Sequence, residues 1–98
     1  MLVELVFSGE VWFWRGPPPF HFVTVPLEYG ADIRAIAGAV TYGWGMIPCE
    51  VTVGTTTFET ALWPKNETYI LGLKKVVRDR ESIAIDDDIT VVLRIGDF

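Results

Sequence analysis

Val40-Thr41-Tyr42-Gly43-Trp44-Gly45-Met46-Ile47-Pro48 is the stretch on which the fold of this chain turns. Two glycines bracket a tryptophan, an aromatic residue precedes them, and a proline closes the segment before an alternating run begins. A large ring between two glycines requires a tight or positive-φ backbone while its indole still finds a packed site. The stretch therefore reads as a corner where the chain changes layers. Its aromatic side chains also suit the floor of a pocket.

Upstream of the corner, Tyr29, Ile33, Ile36, Ala37 and Val40 recur at three and four residues, with Glu28, Asp32 and Arg34 off the stripe. This predicts a helix over 26–40, begun by Pro26 and ended at Gly38. Gly30 inside it costs about 1 kcal/mol against alanine, which points to close packing there. Further back, Val3, Leu5, Phe7, Gly9, Val11 and Phe13 alternate with Glu4, Ser8, Glu10 and Trp12, predicting a long first strand with a bend or bulge at Gly9. Trp14-Arg15-Gly16-Pro17-Pro18-Pro19 cannot continue a ladder and reads as a rigid loop. Phe20 to Val25 resumes as a strand in a hairpin-like pair with the first.

Downstream, Ile47, Cys49, Val51 and Val53 alternate with Glu50 and Thr52 as a third strand. Gly54 turns it into a fourth over 55–63, and Pro64-Lys65-Asn66-Glu67 is a turn into a fifth over 68–73. Residues 74–80 make a short helix with Leu73, Val76 and Val77 inward. A last strand over 89–95 points Ile89, Val91, Leu93 and Ile95 inward. The fold class is mainly β: a small six-stranded barrel, closed or nearly so, with one α-helix and one short helix in the order ββαββ, short helix, β. Residues 1–98 form a single domain.

Composition narrows the function. Half of the 98 residues are hydrophobic and the mean hydropathy is +0.33, so apolar area must enter a dense core, a pocket wall or an interface. A net charge of -5 opposes general nucleic-acid binding. One cysteine excludes an internal disulfide. With no cationic segment before the first apolar residues, and no run long enough to span a bilayer, the chain reads as soluble and cytoplasmic, with no membrane partner.

The candidate residues carry competing readings. His21 is the only histidine, so metal chemistry lacks partners and a solvated position on a strand's outer face is favoured. Ser8 has no supporting nucleophile motif, and Asp86-Asp87-Asp88 reads as a solvated turn rather than a calcium loop. Lys74 and Arg78, four apart on the short helix, could grip an anion, against a plainer pairing of this cluster with Asp79 and Glu81. The aromatic set Trp12, Trp14, Tyr42, Trp44 and Trp63 either fills the core and plugs the barrel ends or lines a cleft. In the second case Trp14, Arg15, Tyr42, Trp44 and Lys65 would hold a small, anionic, partly apolar ligand.

Several stretches also resemble one family: Phe7-Ser8-Gly9-Glu10-Val11-Trp12, Trp14-Arg15-Gly16-Pro17 with Phe20, Phe22-Val23 with Val25-Pro26, Val40 to Gly45 with Ile47-Pro48, Pro64-Lys65, and Lys74 with Val77-Arg78. The chain is similar to the prokaryotic domain-of-unknown-function family numbered nineteen-oh-five. The resemblance implies a double-split β-barrel, an architecture shared with some bacterial DNA-binding regulators and antitoxins, and no established activity. Gly72 stands where that pattern expects proline, and Asp86-Asp87 where it expects Gly-Asp.

The expected function is that of a ligand-binding or interaction module rather than an enzyme. It has no cofactor, a small anionic ligand or a protein as partner, and a monomeric or homodimeric state. The alternative is a nucleic-acid-binding regulator or antitoxin-like protein, suggested only by the shared fold.

Overall fold

The computed structural model describes residues 2–16, 21–40 and 45–96. The first strand sets the architecture. β1 (Leu2–Glu10) pairs antiparallel along its whole length with β7 (Asp88–Gly96), from Leu2 opposite Gly96 to Glu10 opposite Asp88. The ladder breaks at Val11, whose N–H donates to Asp87 O at 2.9 Å and whose carbonyl accepts from Asp86 N at 2.7 Å. The chain then resumes as β2 (Trp12–Phe13) and pairs with β3 (His21–Thr24), Trp12 opposite Phe22.

Between these lie α1 (Leu27–Val40), β4 (Ile47–Val53), β5 (Thr56–Lys65), β6 (Thr68–Gly72) and α2 (Lys75–Glu81). All strands join one sheet in the order β1-β7-β4-β5-β6-β3-β2. A single run of chain, β1 and β2, therefore supplies both ends of the sheet, and the sheet must curl into a half-barrel. Gly9 lies where the two ends meet: it stays in register opposite Ile89, but a Cβ on it would sit 2.8 Å from Val23 Cγ1. Close approach, not a bulge, is the reason for glycine here, and the break falls two residues later.

The inner face carries the core. Ile47, Cys49, Val51 and Val53 of β4 and Val91, Leu93 and Ile95 of β7 are buried against Phe7, Val11, Leu62 and Leu71. α1 covers this face, with Ile33 buried and Tyr29 and Ile36 packed on the cluster. Pro26 starts the helix as expected, its carbonyl accepting from Tyr29 N at 3.0 Å and Gly30 N at 2.9 Å. Gly30 faces Thr68: a Cβ there would lie 2.8 Å from Thr68 Cβ and 3.0 Å from its Cα. Helix and hairpin approach here as only glycine permits.

Several expectations are corrected. Among the described residues the sheet has seven strands, not six, because the first run divides at Val11; the three strands read over 47–53, 55–63 and 68–73 are all present between the helices, one more than the order ββαββ counts there. The hairpin-like pair of the first two runs shrinks to Trp12–Phe13 with His21–Phe22, since β1 belongs to β7. α1 passes Gly38 and runs to Val40, helical geometry being open to glycine at a modest cost. β5 continues through Pro64 to Lys65, leaving Asn66-Glu67 as the turn, with Asn66 at φ 55. Pro64 is tolerated because β4 stops at Ile47, opposite Leu62, so the strand on that side has ended before the missing N–H is needed. On α2, Val77 is buried but Val76 is exposed. Asp86 takes the left-handed conformation, φ 73, so the turn survives without glycine.

Candidate functional site

Strand alternation sends Trp12, Phe22 and Trp63 to the outer face of the sheet, away from the main core. Phe22 is fully buried all the same, because indoles surround it. Its ring centre lies 5.4 Å from Trp12 in a stacked pair, and 5.6 Å from Trp63 and 6.0 Å from Trp14 edge-on. Trp14 reaches this layer from the bend after β2. Gly16 lets the chain pass close to that indole: a Cβ on Gly16 would sit 2.6 Å from Trp14 Cδ1 and Cε2. Trp12 is fixed by its Nε1–H, which donates to Thr24 Oγ1 at 2.9 Å.

These tryptophans neither fill the core nor plug barrel ends, as expected for two or three of them. They form a second apolar layer on the part of the outer face built by β2, β3, β6 and β5. The physical reason is cover: α1 occupies the inner face, and Phe22 needs an apolar lid on the other side.

Lys65 follows Trp63 by two residues and shares its face. Its Nζ lies 4.4 Å from the centre of the Trp14 ring and 4.8 Å from that of Trp12. The two indoles stand 6.2 Å apart and inclined at 48°, so they form an open V that receives an ammonium group through its attraction to the ring faces. The structure thus brings together Trp14 and Lys65, two of the five expected cleft residues. It adds Trp12, which sequence reading placed on the outer face without linking it to Lys65. The link depends on β2 pairing with β3, β3 with β6 and β6 with β5. Arg15 is exposed on the bend beside Trp14. Tyr42 and Trp44 lie outside the described residues. Their neighbour Gly45 has φ 75, and a Cβ on it would lie 3.3 Å from Pro64 Cγ. Pro64 and Lys65 point to opposite faces, so Gly45 abuts β5 on the side away from the indole layer.

A largely apolar groove of about 660 Å³ adjoins this layer, between the β3–α1 connection and the β5–β6 turn. Thr24, which holds Trp12, lines it with Val25, Pro26, Leu27 and Asn66 to Thr68.

The second candidate, Lys74 and Arg78, is engaged with the protein itself. Lys74 Nζ donates to Glu59 O at 3.1 Å and Arg78 Nε to Leu73 O at 3.1 Å. The expected pairing with acids holds for Lys75 with Asp79, at 2.6 Å. Glu81 instead turns to the β4–β5 hairpin and accepts from Thr56 Oγ1 at 2.6 Å.

Other reactive groups are structural. Cys49 is buried, and desolvation pushes its thiol up to about 12, far from a nucleophile's range. Ser8 Oγ pairs with Thr90 Oγ1 at 3.1 Å. Asp87 Oδ2 accepts from Ala84 N at 2.8 Å. His21 is not the solvated outer-face residue expected: it shares the face of Val23, its ring meets Phe13 edge-on at 5.7 Å, and its Nδ1 is buried without a bond. Alternation on β3 places it on the core side, where it is half-buried. Among the described residues no three His, Cys, Asp or Glu side chains converge as metal ligands, and no helix is long and apolar enough to cross a membrane.

No curated protein matches the chain at a significant level. The model of the family described as domain of unknown function (DUF1905) matches residues 7–93, a span holding the break at Val11 in the first run, the whole indole layer with Lys65, both helices and most of β7. The chain belongs to that family.

Proposed function

We propose that this domain is a non-catalytic binding module whose recognition surface is the indole–ammonium patch of Trp12, Trp14 and Lys65, with Arg15 at its rim. The preferred occupant is a small anionic ligand with an apolar part. The observation that carries this reading is the ammonium of Lys65 held between two indoles. Its inner side is satisfied by the rings, and its outer side is left to an anion, while the indole edges and the neighbouring groove supply apolar wall. Both indoles are already fixed, one by Thr24 and one over Gly16, so little freedom is lost on binding. Arg15 contributes a planar fork of donors for a carboxylate or phosphate.

The half-barrel, with one run of chain shared between its two ends, suits the double-split plan that the family resemblance implies. A cytoplasmic setting goes with a lone, buried cysteine. The rival reading as a nucleic-acid regulator draws little from Lys74, Lys75 and Arg78, which bond to carbonyls and to Asp79.

Mass spectrometry of material co-purified with the native protein tests the proposal, followed by titration of the compounds found. Arg15→Ala and Lys65→Met are expected to weaken the ligand at least tenfold while both variants stay folded. An empty native protein, or affinities unchanged in both variants, sinks it. Tight, salt-resistant binding to random duplex DNA would promote the regulator instead.

A further inference from the structure

The groove beside the indole layer differs in chemistry from the patch it adjoins. Its volume of about 660 Å³ is that of a small-molecule site. Of the residues lining it only Glu67 is charged, and none carries an aromatic ring. Leu27, the first residue of α1, lies 62% exposed at its wall. The polar groups of the β3–α1 connection are already engaged. Thr24 Oγ1 accepts from Trp12 Nε1 at 2.9 Å, and Thr68 Oγ1 donates to Val25 O at 2.8 Å. Val25 N–H donates to Tyr69 O at 2.9 Å, and the carbonyl of Pro26, which has no N–H, accepts from α1. A peptide laid in the groove would find these backbone partners taken, whereas a hydrocarbon chain needs none.

We infer that the ligand is a straight-chain aliphatic carboxylate, with its head at Lys65 and Arg15 and its tail in this groove. The inference rests on the anion reading of the indole patch and names the class of molecule it takes. Trp12 bridges the two regions: Lys65 Nζ lies 4.8 Å from its ring centre, and its Nε1 meets Thr24 on the groove wall. Lys65 also directly precedes Asn66, which lines the groove from the β5–β6 turn. Charge fixes the orientation. Glu67 repels a carboxylate from the groove, while Lys65 and Arg15 attract it to the patch. The tail then covers Leu27 and Pro26, apolar surface that otherwise faces water. A net charge of -5 opposes an anionic bilayer, so the occupant is a free acid rather than a membrane lipid.

Titration with butyrate, hexanoate, octanoate and decanoate, followed by tryptophan emission and by the amide shifts of Leu27 and Thr68, tests this. Affinity is expected to rise roughly two- to fourfold per added methylene, and octanol to bind more weakly than octanoate. Leu27→Asp sets a charge beside the tail and should weaken decanoate by about tenfold or more while leaving butyrate nearly unchanged. Its position at the start of α1 suits an acid, so the variant is expected to fold; circular dichroism checks this, and Leu27→Ser replaces it if it does not. Lys65→Met should weaken every chain length by a similar factor and keep the slope. Equal affinities along the series, or a slope that survives at position 27, overturn the tail assignment and leave the anion site standing if Lys65→Met still weakens binding. Affinities unchanged in Lys65→Met, or no binding at any chain length, overturn the inference together with the reading beneath it.

Discussion

Lys65 Nζ stands 4.4 Å from the centre of the Trp14 ring. The lysine ends β5 and the tryptophan follows β2, so their meeting joins a central strand to the far end of the sheet. A cation–π contact at a half-exposed site contributes about 0.5–1 kcal/mol. Lys65→Met keeps the stem and removes the charge, so it is expected to lose about that much and a few degrees of melting temperature. Lys65→Arg, which retains a cation for the same rings, should lose less. Tryptophan emission should shift in the first variant and hardly move in the second. Equal losses in both variants would mean that packing, not charge, holds the residue.

Gly30 faces Thr68, whose Oγ1 donates to Val25 O at 2.8 Å. Alanine at an ordinary helix position would gain about 1 kcal/mol over glycine. Here its methyl meets Thr68 and pushes α1 from the hairpin, so Gly30→Ala is expected to destabilise by about 1–3 kcal/mol. Denaturant midpoints measure this, and a raised midpoint would show that the helix shifts freely.

Gly45, at φ 75 beside Pro64, is strained for any residue with a Cβ. Gly45→Ala is expected to cost about 1–2 kcal/mol in a chemical denaturation series, although the same exchange stabilises by ~0.4–1 kcal/mol where geometry allows. An unchanged midpoint would remove the strained corner.

Cys49 gives the domain a pH dependence on the alkaline side. Burial raises its thiol from 9.0 to about 12, so between those values the unfolded chain has released a proton that the folded chain retains. Stability therefore falls as pH rises through that window and is complete below it. The slope attributable to this group approaches about 1.4 kcal/mol per pH unit. Urea midpoints of the wild type and Cys49→Ala between pH 8 and about 11 should diverge in slope by that amount. Parallel slopes would show that the thiolate finds water without unfolding.

Local chemistry in the chain determined the alternation that buries Cys49, Val51 and Val53, the three-and-four spacing that turns Ile33 inward, the corner at Gly45 and the left-handed turn at Asp86. Each depends on side chains a few residues apart. The patch was legible in its parts, since Trp14, Arg15 and Lys65 stand out as charge beside indole, and the family resemblance agrees with the model match. Only the tertiary structure decided that Leu2–Glu10 pairs with Asp88–Gly96, that the run divides at Val11 and not at Gly9, and that Trp12 joins Trp14 around Lys65. Those outcomes rest on register between strands separated by most of the chain. A shift of one residue would send every one of these side chains to the other face, and no local period encodes which partner a strand will find.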